Sequence, residues 1–122
     1  MDVKIKTTGY EMTPEVSDYL NEKIQTLEKH VSLEGPPARC EVEVGRSVGH
    51  HVQGDVWRAE MQIVRGAERL RAEATGESVN AAIDAAKDEL LRQLRHSKGK
   101  RFAAMRRAGK KVKDWMRFGK TP

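Results

Sequence analysis

The sequence predicts an α+β domain of order β-α-β-β-β-α, a four-stranded sheet with two helices packed on one face. Three observations lead to it. Four segments alternate apolar and charged residues at the period of a strand. Two others carry apolar residues at helical spacing. Each of the six has a single apolar face, and one sheet covered on one side by both helices buries all of them. The chain has 122 residues, which suits one domain with a core that needs no staples.

Val3, Ile5 and Thr7 alternate with Lys4 and Lys6, the pattern of a half-buried strand, and Gly9 closes it. Thr13-Pro14-Glu15 starts a helix: Thr13 can accept from an exposed backbone N–H, Pro14 suits the first helical position and Glu15 complements the dipole. Val16, Tyr19, Leu20, Ile24 and Leu27 carry its stripe to about His30, and Gly35-Pro36-Pro37 forbids continuation. Cys40, Val42 and Val44 form the next alternating run. A Gly/His loop separates it from Trp57, Ala59, Met61 and Ile63. A short turn at Gly66-Ala67-Glu68 then leads to a hairpin partner bearing Leu70, Ala72 and Ala74. Opposite charges on the outward positions of these strands can pair across the exposed face. Ser78 is a plausible cap for the last helix, whose stripe is Val79, Ala82, Ile83, Ala86, Leu90 and Leu94. The three later strands read as an antiparallel meander. The strand–helix crossover favours a parallel neighbour for the first strand, at an edge or inserted beside them.

Composition narrows the function. At 38% hydrophobic and 34% charged, the chain reads as soluble and globular. No apolar run approaches the roughly 18 residues of a membrane span, and the charged, alternating N-terminus is not a signal peptide. A cytoplasmic protein is expected. Cys40 reads as a small buried hydrophobe, since one cysteine makes neither an internal disulfide nor a Cys-rich zinc site. His50-His51 lies in a Gly-rich loop without a partner set at zinc spacing, and Gly45, Gly49 and Gly54 form no phosphate-binding fingerprint. Ser17, Ser32, Ser47, Ser78 and Ser97 lack a nucleophile-elbow context. The expectation is no enzyme, no cofactor, no metal and no small-molecule substrate.

Charge is placed unevenly. The whole chain carries +5, but residues 99–122 hold nine Lys/Arg against one acid, or +8. Residues 1–98 hold 14 Lys/Arg against 17 acids, or −3. The division suggests an α+β domain over 1–98 and a basic, aromatic tail over 99–122. Such asymmetry points to a polyanion, either nucleic acid or an anionic membrane surface. Phe102, Met105, Gly109, Val112 and Met116 recur at helical spacing, so the tail is either a basic amphipathic helix or a disordered solubilising segment.

The stretch ELLRQLRHSKGKR, residues 89–101, joins the two parts. Arg92 and Arg95 neighbour each other, away from the apolar stripe, and Lys98 extends the positive surface. Cations there complement the helix dipole, which is a structural role by itself. It does not account for the basic residues that follow, whereas phosphates would. Lys23 and Lys29 of the first helix add to a composite surface. Few aromatics fall on the outward positions of the sheet, so recognition would be of shape and phosphate rather than by base stacking on the sheet.

Three stretches then carry a resemblance: IKTTGYEMTPEVSDYLNEKIQTLEKH at 5–30, LRAEATGESVNAAIDAAKDELLRQLRHSKGK at 70–100, and the strand–helix–three-strand–helix order that contains them. Over about residues 1–100 the chain resembles the ribosome hibernation-promoting factor and ribosome-associated inhibitor family. The resemblance implies a double-strand-RNA-binding-like fold and a place in the small ribosomal subunit, in the channel for mRNA and tRNA. It implies inhibition by occupancy, with rRNA touched by basic residues of both helices. Lys23 and Lys29 match such positions of the first helix; Arg92, Arg95 and Lys98 match the end of the second. In the tail, Lys100, Arg101, Arg106, Arg107, Lys110 and Lys111 are further candidate RNA contacts, which have no family support. Thr26 and Glu89 stand where relatives often have Lys, and Asn80 where Tyr is common. The chain ends before the dimerisation domain of the long form, so a short form is expected, a monomer off the ribosome. The partner is then the small ribosomal subunit. A general double-stranded RNA-binding module and a membrane-surface role for the tail are the competing readings.

Overall fold

The structure, a computed structural model, describes residues 1–31, 35–47 and 56–96. It contains strand β1 (Asp2–Thr8), helix α1 (Pro14–Glu28), strands β2 (Arg39–Arg46), β3 (Trp57–Arg65) and β4 (Glu68–Gly76), and helix α2, helical from 79 to 96. The predicted order is the observed one. The tail and His50-His51 lie outside the described residues.

The sheet order is β1-β2-β3-β4, with β1 parallel to β2 and the rest antiparallel. The crossover through α1 therefore returns the chain beside the strand it left. A two-residue turn, Gly66-Ala67, joins β3 to β4, and Gly66 has φ +56°, which glycine adopts without steric cost. Both helix starts are capped by side chains. The Thr13 hydroxyl accepts from the Val16 N–H at 3.3 Å, and the Ser78 hydroxyl from the Ala81 N–H at 3.0 Å.

The core lies between the sheet and the two helices. Leu20 and Leu27 of α1, Ile83 and Leu90 of α2, and Val44 and Met61 of the sheet are its large, fully buried side chains. Each such residue stabilises the fold by about 1.5–3 kcal/mol relative to exposure. Ala82 and Ala86, also fully buried, let α2 lie close on the sheet. Cys40 belongs to this core, and burial pushes its thiol up to about 11, so it is inert at neutral pH.

β1 departs from expectation. It reads as half-buried, yet all seven of its residues are exposed, with Val3 at 43% and Ile5 at 38%. The register does place Val3 and Ile5 beside Cys40 and Val42, on the helix-covered face. β1 is an edge strand, however, with one neighbour and no residue in the core. Lys4 and Lys6 on its other face discourage further strand pairing.

β1 pairs with β2 along its whole length, and at Gly45 the two backbones approach too closely for a side chain. A Cβ there would collide with the Thr8 carbonyl oxygen, a backbone atom that cannot rotate away. Gly45→Ala is therefore expected to cost on the order of 3 kcal/mol by pushing β1 outward. Urea denaturation checks this; a loss below about 0.5 kcal/mol, the ordinary scatter of surface substitutions, would mean that β1 shifts freely.

Candidate nucleic-acid interface

On the outer face of the sheet, opposite charges satisfy each other. Glu43, Glu60 and Glu73 stand directly opposite one another across β2, β3 and β4. Three like charges in a row would be destabilising. Arg58 bonds to all three, at 3.0, 2.8 and 3.0 Å, and Arg71 reaches Glu60 and Glu73 at 2.6 Å each. Lys6 joins at Glu43 (3.6 Å), and Arg39 pairs with Glu41 at 3.0 Å. Arg71 holds the Glu60 carboxyl below the usual carboxylate range, and Arg58 does the same for Glu73. This face is an ion-pair lattice with little charge left for phosphate.

The helix side is different. β4 and α2 run in opposite directions, since Gly76 abuts Ala81 and Ala82 while the Gln93 amide donates to the Arg71 carbonyl at 2.9 Å. α1 also ends at the start of the sheet, where Glu28 binds the Met1 ammonium at 2.8 Å. The two helices therefore run parallel, and their carbonyl ends lie at the same end of the sheet. Partial negative charge collects there and favours cations. Lys29, the C-cap of α1, and Arg95, near the end of α2, are both exposed. Neither is in an ion pair among the described residues.

The predicted basic stripe is not uniformly free. Lys23 lies 3.7 Å from Asp84 of α2 and 4.7 Å from the centre of the Tyr19 ring, with only 23% of its side chain exposed. It ties α1 to α2 as much as it faces solvent. The same Asp84 carboxylate pushes the Tyr19 phenol up to about 12. Arg92 is exposed but forked on Glu89, with Nε donating at 2.9 Å and Nη2 at 2.6 Å. Gln93 donates to the same carboxylate at 3.2 Å. These bonds, Arg92 first, hold Glu89 down to about 2, so it stays ionised at any physiological pH. Glu89 thus has a local role: it organises Arg92 and Gln93, and Gln93 reaches β4. The Thr26 hydroxyl donates to the Glu22 carbonyl at 3.2 Å, within its own helix. Lys98, Lys100, Arg101, Arg106, Arg107, Lys110 and Lys111 lie outside the described residues.

Sequence reasoning missed a cluster at the opposite end of the sheet. The register sets Arg46 directly across from Trp57, and its guanidinium carbon sits 4.8 Å from the centre of the Trp57 ring. Tyr10 meets Trp57 edge-on, with ring centres 5.1 Å apart and planes at 74°. The available signal was the placement of Arg46 and Trp57 on either side of the Gly/His loop, but only the hairpin register makes them neighbours. Among the described residues, no group of three or more His, Cys, Asp or Glu could hold a metal ion, and no helix is long and apolar enough to cross a membrane.

A four-stranded mixed sheet with two parallel helices on one face, and exposed cations at the shared carbonyl end of those helices, defines the class: an α+β domain with a candidate polyanion surface. Residues 3–101 match the family described as Sigma 54 modulation protein / S30EA ribosomal protein, and the chain belongs to that family. It is 28% identical over 103 residues to the ribosome hibernation promotion factor of Picosynechococcus sp., covering 84% of this chain and 51% of that protein. The chain thus spans about half the length of that curated relative. Among solved structures it is similar to the N-terminal domain of Protein Y from Thermus thermophilus, with a TM-score of 0.62 and 25% identity, covering 79% of this chain and 98% of that one. A ribosomal subunit interface protein from Coxiella burnetii shares the fold, with a TM-score of 0.63 at 12% identity, covering 81% and 99% of the respective chains.

Proposed function

We propose that this chain is a ribosome-binding translation inhibitor, a hibernation factor that occupies the mRNA and tRNA channel of the small ribosomal subunit by contacting rRNA phosphates. The observation that carries this is the exposed pair Lys29 and Arg95, in no ion pair among the described residues, at the shared carbonyl end of two parallel helices and followed in sequence by a tail of charge +8. Family membership supports it, as does likeness to proteins named for ribosome hibernation and for the ribosomal subunit interface. The outer sheet face, neutralised by its own lattice, is the less suitable surface for RNA. Lys23, Lys29, Arg92, Arg95 and Lys98 are the contacts from the domain. Lys100, Arg101, Arg106, Arg107, Lys110 and Lys111 continue them along the tail. Inhibition is by occupancy, with no catalytic step and no cofactor, and on this proposal the protein is cytoplasmic and a monomer off the ribosome.

Sucrose-gradient sedimentation with purified small subunits tests this reading. The full chain is expected to travel with the subunits at moderate salt and to leave them as salt rises. A chain that stays at the top of the gradient would overturn the proposal. Equal affinity for an arbitrary RNA duplex would favour a general double-stranded RNA-binding module instead.

A further inference from the structure

Resting on the rRNA-binding reading, we propose that Arg46, propped on Trp57, is a stacking platform for an unpaired RNA nucleotide and forms a second RNA contact at the far end of the domain. Three observations carry it. First, Arg39, Arg58 and Arg71 on the outer face of the sheet pair with carboxylates, whereas Arg46, on the face of Val42 and Val44, forms no ion pair among the described residues. Its contact is the face of Trp57, 4.8 Å away, and it remains exposed.

Second, the support is rigid. Trp57 is packed against the core and is fixed edge-on by Tyr10 at 5.1 Å. An arginine resting on a fixed indole loses less freedom when a planar partner settles on its outer side. Guanidinium planes stack on bases, and a base so placed still leaves the N–H fork for its phosphate. Lysine offers the charge but not the plane.

Third, the position complements the other contact. Arg46 lies where both helices begin, and Arg95 lies where α2 finishes. At 1.5 Å per residue, residues 79 to 95 of α2 separate the two ends by about 24 Å. The platform is therefore a separate foothold, and it would hold an exposed base by its face, which phosphate contacts at the helix ends cannot do.

The test uses the full chain, Arg46→Ala and Arg46→Lys. In ¹H–¹⁵N NMR, hexaadenylate RNA is expected to shift the Arg46 Nε–H and the Trp57 indole N–H through the ring current of the stacked base. An abasic hexamer of equal length, which keeps the phosphates, leaves the Trp57 indole N–H in place. On small ribosomal subunits, Arg46→Ala is expected to bind about tenfold more weakly, the range of a single stacked base, and Arg46→Lys to recover only a minor part. Absence of the hexaadenylate shifts, or full binding by Arg46→Lys, would overturn the platform and leave Arg46 as a cover for Trp57 or a plain charge. Normal binding by Arg46→Ala beside normal binding by the unaltered chain sinks this inference alone. Failure of the unaltered chain to bind small subunits sinks the function it rests on.

Discussion

Reversing charge at the end of α2, with Arg92→Glu and Arg95→Glu together, is expected to weaken binding to small ribosomal subunits about 100-fold at moderate salt. Both side chains are exposed and neither packs in the core, so the fold seen by circular dichroism should persist, with melting lowered only by the few degrees that the helix dipole and the Glu89 pair supply. The diagnostic quantity is the salt dependence. Each lost phosphate contact removes roughly one from the slope of log affinity against log salt, so the double variant should lose roughly two. An unchanged slope would show that these arginines serve the helix dipole and not the RNA. Glu89→Gln supplies the opposite sign. It leaves a neutral amide beside Gln93 while releasing Arg92 from its forked partner, and binding should tighten by roughly threefold, a modest gain because the exposed pair is weak. Weaker binding would instead make Glu89 the group that positions Arg92 for its phosphate.

The second large effect concerns stability. Arg58→Met removes the cation that touches all three carboxylates of the facing row, and leaves Arg71 to satisfy two of them. Arg58 is 24% exposed and Glu60 17%, so solvent screens the deficit only partly. Breaking such a pair deep inside costs 3–5 kcal/mol, and exposed pairs are worth under 1; a loss of about 2 kcal/mol is expected here. For a domain of this size that corresponds to roughly 10 °C in melting temperature.

The same loss should depend on pH in a defined direction. Arg71 holds Glu60, and Arg58 holds Glu73, below the ordinary carboxylate range in the folded protein. The unfolded chain therefore takes up protons first on acidification. The stabilisation is complete above the unfolded carboxylate pKa of about 4.3 and is lost as pH falls through the folded values. Arg58→Met has less of this stabilisation to lose. Its deficit, measured by urea unfolding, should be full at pH 7 and shrink toward pH 3. A constant deficit would mean that the stem of Arg58, not its charge, holds the strands.

Much of the fold was legible because it is written in local periodicity. Ile24 and Leu27, or Ile83 and Leu90, declare a helical face without reference to anything distant. Thr13 and Ser78 declare where the helices start, and their hydroxyls bond as such residues do. Gly66 announces a tight hairpin. What period alone could not say was how far the core extends. Val3 and Ile5 have the pattern of a half-buried strand, but an edge strand has a neighbour on one side only, and the helices do not cover it.

The candidate site divides in the same way. Sequence by itself determined the order of elements, the apolar face of each, and the asymmetry that puts the excess positive charge after residue 98. It also carried the family. Tertiary structure alone decided which cations are available. Lys23 belongs by sequence to the basic surface of the first helix, and Asp84, 61 positions away, claims part of its charge. Arg46 and Trp57, eleven positions apart, become a stack only through the β2–β3 register. Arg58 and Arg71 are neutralised because three glutamates on three strands fall into one row. The reason is physical: amphipathic period is a property of one segment, whereas the partner of a charge is set by whichever segment the fold brings within 4 Å of it.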